Sequence, residues 1–121
     1  MIAHIRGLYV PHDMKATRVV PVGFDAPESC WLATAPAFGE PEILGRHTAG
    51  GEFDAPISLR AGTPLLAYVF APTSSQAGTV WLDEVRDDAW CARVERERRH
   101  AVAVAQVEAL DAAIWWSGVP V

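Results

Sequence analysis

The chain has 121 residues, half of them hydrophobic and 21% charged, which is enough for a packed core and too apolar for a disordered chain. Ten Lys+Arg against fifteen Asp+Glu leave a net charge of −5, and the pI of about 5.2 argues against a nucleic-acid surface, because phosphate contacts need a basic field. No run of about eighteen apolar residues is present, so no membrane-spanning helix is expected.

Met1-Ile2-Ala3-His4-Ile5-Arg6 lacks the basic head and apolar stretch of a secretory signal, so synthesis in the cytoplasm is expected. Residues 2–10 form a short apolar strand closed by Pro11-His12-Asp13. Arg18 to Phe24 is a second strand, with Val20, Val22 and Phe24 on one face. Pro21 inside it points to a sheet edge or a bulge. Cys30 to Ala35 is a third, closed by Pro36. Residues 39–51, punctuated by Gly39, Pro41, Gly45, Gly50 and Gly51, read as a loop or weak hairpin.

Phe53, Ala55, Ile57 and Leu59 alternate with Asp54, Pro56, Ser58 and Arg60, the pattern of a strand with one wet face. After the turn Ala61-Gly62-Thr63-Pro64, Leu65 to Phe70 is apolar on both faces, as a central strand should be. Thr79 to Val85 directs Val80 and Leu82 inward and Trp81, Asp83 and Val85 outward.

Eight of the nine Pro precede residue 73, and neither Gly nor Pro occurs from Asp87 to Ser117. The expected fold is therefore one domain, mainly β or α+β. A small antiparallel β-sandwich or jelly-roll-like unit over 1–86 is followed by one long helix over 87–117. Asp87 or Asp88 caps that helix, and Ser117-Gly118 with Pro120 ends it. At roughly 43 Å for residues 88–116 it outreaches a small β unit, so it bends or one end projects. Trp90, Cys91 and Val94 do not share a stripe with Val104, Val107, Leu110 and Ile114, which leaves one set for another surface.

The candidate sites are modest. Arg93, Arg96, Arg98 and Arg99, with Arg86 and His100 nearby, read as a self-neutralised helix face, since Glu95 precedes Arg99 by four residues. Asp83, Glu84, Asp87 and Asp88 lack the spacing of a calcium loop. Cys30 and Cys91 match no zinc or redox signature and read as small buried hydrophobes, with a disulfide as the alternative. The four histidines are scattered and read as surface residues; His12 and the Gly-rich segment around His47 are where proton transfer would be sought. Five tryptophans outnumber four phenylalanines, and Trp115 and Trp116 diverge by about 100° on a helix, so at least one of them suits a partner contact.

Residues 53–64, the apolar strand after them, and Ala77-Gly78-Thr79-Val80-Trp81-Leu82-Asp83-Glu84-Val85 together resemble the last strands of galactose-binding-like, carbohydrate-binding jelly-roll modules. The resemblance spans residues 53–85 and implies sugar binding, with Trp81 stacking on a sugar and Asp83 hydrogen-bonding to it.

The leading functional expectation is a non-enzymatic interaction or assembly protein, concretely a phage or viral structural or accessory component that ends in a virion. Its contacts, with a protein partner or in self-assembly, run through Ile114, Trp115, Trp116, Arg96 and Arg99. The alternatives are a carbohydrate-binding module using Trp81 and Asp83, a small inhibitor or immunity-type protein, and a small enzyme using His12 or His47 with a nearby carboxylate. No cofactor or metal is expected, and no membrane partner.

Overall fold

The computed structural model describes the backbone of residues 1–117 and the side chains of residues 1–110. Seven strands precede one helix: β1 (Ile2–Tyr9), β2 (Met14–Val22), β3 (Ser29–Thr34), β4 (Ile43–Thr48), β5 (Ile57–Leu59), β6 (Pro64–Ala71), β7 (Thr79–Glu84) and α1 (Asp88–Ser117). All strand pairs are antiparallel, in sheets ordered β1-β6-β3-β4 and β5-β2-β7. A small β-rich unit followed by a C-terminal helix is thus the architecture. Met1–Val85 and the segment from Arg86 onward are separate compact units, each described by itself.

The core lies between the sheets because each strand turns alternate side chains inward. Ala16, Val19 and Leu59 of the three-stranded sheet meet Cys30, Leu32, Leu65, Ala67 and Val69 of the four-stranded one, with Val10 and Phe53 completing the cluster. Val80 and Leu82 pack against this cluster from β7, as their spacing predicts. Burying each large aliphatic side chain contributes about 1.5–3 kcal/mol.

Several boundaries differ from the sequence reading. β2 begins at Met14, four residues early, because polar Lys15 and Thr17 alternate with Met14 and Ala16 and hide an amphipathic start. Its register against β7 shifts between Ala16 and Arg18, away from Pro21, which pairs with Val80 in regular register on a stretch that β5 does not reach. Within the segment expected to be a loop or weak hairpin, residues 43–48 are a full strand paired antiparallel with β3. The strand expected over 53–60 shrinks to Ile57–Leu59. Of its expected inward positions Phe53 and Leu59 are buried and Ile57 partly so, whereas Ala55 is exposed, and Pro56 has no N–H to give a ladder.

In the helical unit Asp87 is the cap: its Oδ1 accepts the Trp90 N–H at 2.9 Å and its carbonyl accepts the Cys91 N–H at 2.9 Å. The Arg86 guanidinium lies 5.3 Å from the centre of the Trp90 ring. Glu95 gathers Arg98 at 2.7 Å and Arg99 at 3.1 Å, giving the expected i,i+4 pair and an i,i+3 pair besides. These hydrogen bonds, Arg98 first, hold the Glu95 carboxyl below its ordinary range, and Glu95 raises the Arg98 guanidinium in turn. The cysteines part company: Cys30 is buried, Cys91 is exposed, and both are free thiols.

Candidate functional site

The feature that stands out is the outer face of the four-stranded sheet. On β6, Leu65, Ala67 and Val69 point into the core, so Leu66, Tyr68 and Phe70 point away from it. The same alternation sends Trp31 outward on β3, Arg46 on β4 and Ile5 on β1. The registers then place Ile5 beside Tyr68, Tyr68 beside Trp31, and Trp31 beside Arg46, one row across all four strands. Trp31 and Phe70 stack with centroids 4.9 Å apart and planes tilted 52°. The Arg46 guanidinium lies 5.8 Å from the Trp31 ring centre, a cation–π contact at the margin of the row.

In a two-layer protein the outer face of a sheet is normally polar. Here the row carries one charge, on Arg46, and Ile5 is 53% and Ile43 45% exposed. An apolar face of this breadth, with aromatic side chains and an arginine, has the composition of a protein contact surface.

The other sheet's outer face is different. Trp81 is 62% exposed, beside Val20. Next to them Arg18 Nε donates to Asp83 Oδ2 at 3.0 Å, and the Glu84 N–H donates to Asp83 Oδ1 at 3.1 Å. Trp81 therefore has the open ring face a stacking ligand needs, while both oxygens of Asp83 are engaged.

The histidines divide in a way the sequence concealed. His4 and His47 are buried, which corrects the reading of both as surface residues. The Val19 N–H donates to His47 Nε2 at 2.9 Å, and His47 Nδ1 lies 2.8 Å from the Thr48 carbonyl. Because a backbone N–H can only donate, Nε2 carries the lone pair and the ring proton sits on Nδ1. His47 thus ties β4 to β2 across the core and rests edge-on against Phe53, with centroids 4.9 Å apart. His4 repeats the scheme, accepting the Ser75 N–H at 3.0 Å and donating from Nδ1 to the Val69 carbonyl at 3.1 Å. Both are structural braces, with each ring nitrogen already used.

His12 has the carboxylate neighbour instead. Its Nε2 stands 3.2 Å and 3.3 Å from the two Glu84 carboxylate oxygens, the pairing that the enzyme alternative required. Asp87 of the acidic group is the helix cap. Among the described residues no cluster of three or more His, Cys, Asp or Glu is arranged to hold a metal ion. Among them too, no helix is long and apolar enough to cross a membrane.

Of the residues first expected to bind a partner, Arg96 and Arg99 lie on α1, with Arg99 held by Glu95. The side chains of Ile114, Trp115 and Trp116 lie outside the described residues. Val102, Val104, Val107 and Leu110 are exposed along the preceding turns. Sequence alone does not disclose the outer row of Ile5, Tyr68, Trp31 and Arg46 as a site; its one signal there is a β6 that is apolar on both faces.

No protein-family model, no curated protein and no solved structure matches this chain.

Proposed function

We propose that this chain is a non-enzymatic interaction module that helps build or decorate a larger protein assembly. Its principal contact surface is the outer face of the β1-β6-β3-β4 sheet. The observation that carries the reading is the row Ile5–Tyr68–Trp31–Arg46, apolar across three strands and closed by an arginine on the fourth, where a sandwich would ordinarily be polar. The exposed apolar side chains on α1 give the chain a second surface of the same kind. A component of a phage or viral particle, structural or accessory, is the concrete setting we favour, because many small copies there meet through protein surfaces.

The test is the assembly state by sedimentation velocity over a wide concentration range, for the unaltered chain and for Tyr68→Asp. A defined oligomer that dissociates in the variant, with unchanged circular dichroism, is the expected result. A chain that stays monomeric throughout, or an assembly indifferent to Tyr68→Asp, removes the outer face as the contact surface. Deleting residues 113–121 in parallel separates contacts made by the helix end from those made by the sheet.

A second reading is favoured by one observation, the open ring of Trp81 on the three-stranded sheet. On that reading the chain binds a carbohydrate by stacking. A glycan screen with Trp81→Ala as its control decides it, and absence of any binding that depends on Trp81 disposes of it.

A further inference from the structure

The two sheets leave four strand edges, on β1, β4, β5 and β7. Three of them are poor templates for further pairing. β5 has three residues, β4 carries a register break opposite Leu32 and Ala33, and β7 pairs with β2 across a bulge. β1 differs: its eight residues pair with β6 in one unbroken register, from Ile2 opposite Ala71 to Tyr9 opposite Pro64. It contains no Pro, no Lys and no bulge. Its one charged residue, Arg6, shares the inward parity of His4 and spends its guanidinium on the Ser75 and Gly78 carbonyls as well as on that of Ile5, so it is the single edge-blunting device on this strand.

Hydrogen-bond parity shows which backbone groups are open. The Glu28 N–H donates to the Phe70 carbonyl at 2.8 Å, so Phe70 turns its backbone groups toward β3. In an antiparallel ladder the N–H and C=O of one residue share a side, and the side alternates along the strand. Leu65, Ala67, Val69 and Ala71 therefore face β1, where the even-numbered residues meet them. The N–H and C=O groups of Ala3, Ile5, Gly7 and Tyr9 are left on the open edge, and all four residues are exposed. One of them has a partial partner, since Arg6 Nη1 donates to the Ile5 carbonyl at 3.1 Å, which leaves that oxygen its second lone pair.

We propose that this edge pairs with β1 of a second copy of the chain, antiparallel across a two-fold axis centred on Ile5. In that register Ile5 faces Ile5, and Ala3 faces Gly7, with roughly two backbone hydrogen bonds for each facing pair. Gly7 has nothing within 4 Å of where a Cβ would stand, so its outer side is open. Arg6 falls opposite His4, whereas a register centred on Arg6 would set two guanidiniums against each other. A second copy also completes the outer face in a way a foreign strand does not. The row Arg46–Trp31–Tyr68–Ile5 runs into its symmetry mate, giving a row across eight strands, apolar over the central six with an arginine at each end. The partner deepens the assembly reading, yet the contact rests on the strand edge and not on the outer face.

The test uses the full chain with Cys91→Ser, so that no exposed native thiol interferes. Facing Cα atoms in a hydrogen-bonded pair lie about 5.5 Å apart, within reach of a disulfide. Ile5→Cys is expected to oxidise to a covalently linked dimer, and Trp81→Cys on the other sheet is not. Adding Gly7→Pro should abolish linkage and dimer alike with the circular dichroism unchanged, because the Gly7 N–H points to the open edge and serves no bond to β6. Ile5→Lys gives an independent route to the monomer should the proline variant fold poorly. A dimer that survives Gly7→Pro or Ile5→Lys overturns the proposal, as does Ile5→Cys linking no faster than Trp81→Cys. If Gly7→Pro breaks the dimer while Tyr68→Asp leaves it intact, the edge stands and the outer face falls.

Discussion

His47 offers the sharpest check on how the two sheets are held together. Its Nε2 accepts the Val19 N–H at 2.9 Å inside the core, and its ring rests edge-on against Phe53. His47→Leu keeps a similar volume but leaves the Val19 N–H without an acceptor, a desolvation cost of about 1–3 kcal/mol. Loss of the aromatic contact adds about 0.5–1.5 kcal/mol. The sum, about 1.5–4.5 kcal/mol, is a large part of what a unit of this size possesses. Thermal unfolding followed by circular dichroism should then fall by roughly 10–25 °C. His47→Gln places an amide oxygen where Nε2 was, and should recover a good part of the loss. If His47→Leu melts with the unaltered chain, or if the glutamine variant is as damaged as the leucine one, the cross-sheet bond is not what stabilises this region.

Other outcomes follow from single contacts. A Cβ at position 78 would lie 2.5 Å from the Phe24 ring, so Gly78→Ala should cost about 1–3 kcal/mol in urea unfolding. Gly7→Ala, with open space around it, should stay within about 0.5 kcal/mol of the unaltered chain. Burial pushes the Cys30 thiol from its ordinary 9.0 up to about 11, so a thiol reagent at neutral pH should find Cys91 at once and Cys30 only on unfolding. The folded state keeps that proton longer than the unfolded chain does. Stability should therefore hold below about pH 9 and fall by about 3 kcal/mol as pH rises to about 11, and Cys30→Ala should flatten the decline.

The fold was legible where one rule decided each residue. Val80 and Leu82 inward with Trp81 outward, and Asp87 at the helix start, follow from alternation and capping alone. The segment around His47 was misread because Gly45, Gly50 and Gly51 look like loop punctuation. Gly50 does take the left-handed backbone of a turn, at φ 82°. Gly45 is on a strand for a different reason, since a Cβ there would stand 2.7 Å from Phe53 and 2.8 Å from Ile57. A close approach from a distant segment leaves no local mark in the sequence. The buried histidines were hidden for the same reason: their partners Val19 and Ser75 lie 28 and 71 residues away. The outer row was half visible, because β6 reads as apolar on both faces, but the strands beside it and their register are tertiary facts.

The contrast between the two outer faces sharpens the functional argument. Both sheets cover the same core, so the demands of folding on their outer faces are alike, and solvation favours polar side chains on each. The three-stranded sheet complies in part, with Arg18 paired to Asp83 and Lys15 opposite Ser58 beside the exposed Trp81 and Val22. The four-stranded sheet does not, and sets half-buried Tyr68, Trp31 and Phe70 on its outer face. Fold requirements alone do not explain an aromatic cluster on one outer face and an ion pair on the other. The comparison of Tyr68→Asp with Arg18→Ala puts this to measurement. If the outer cluster serves assembly, Tyr68→Asp should disperse the oligomer with little change in the unfolding midpoint of the monomer. Arg18→Ala, which breaks a half-exposed pair, should leave assembly alone and cost about 1 kcal/mol or less. A Tyr68→Asp chain that unfolds early and assembles normally would place the cluster in the service of the fold instead.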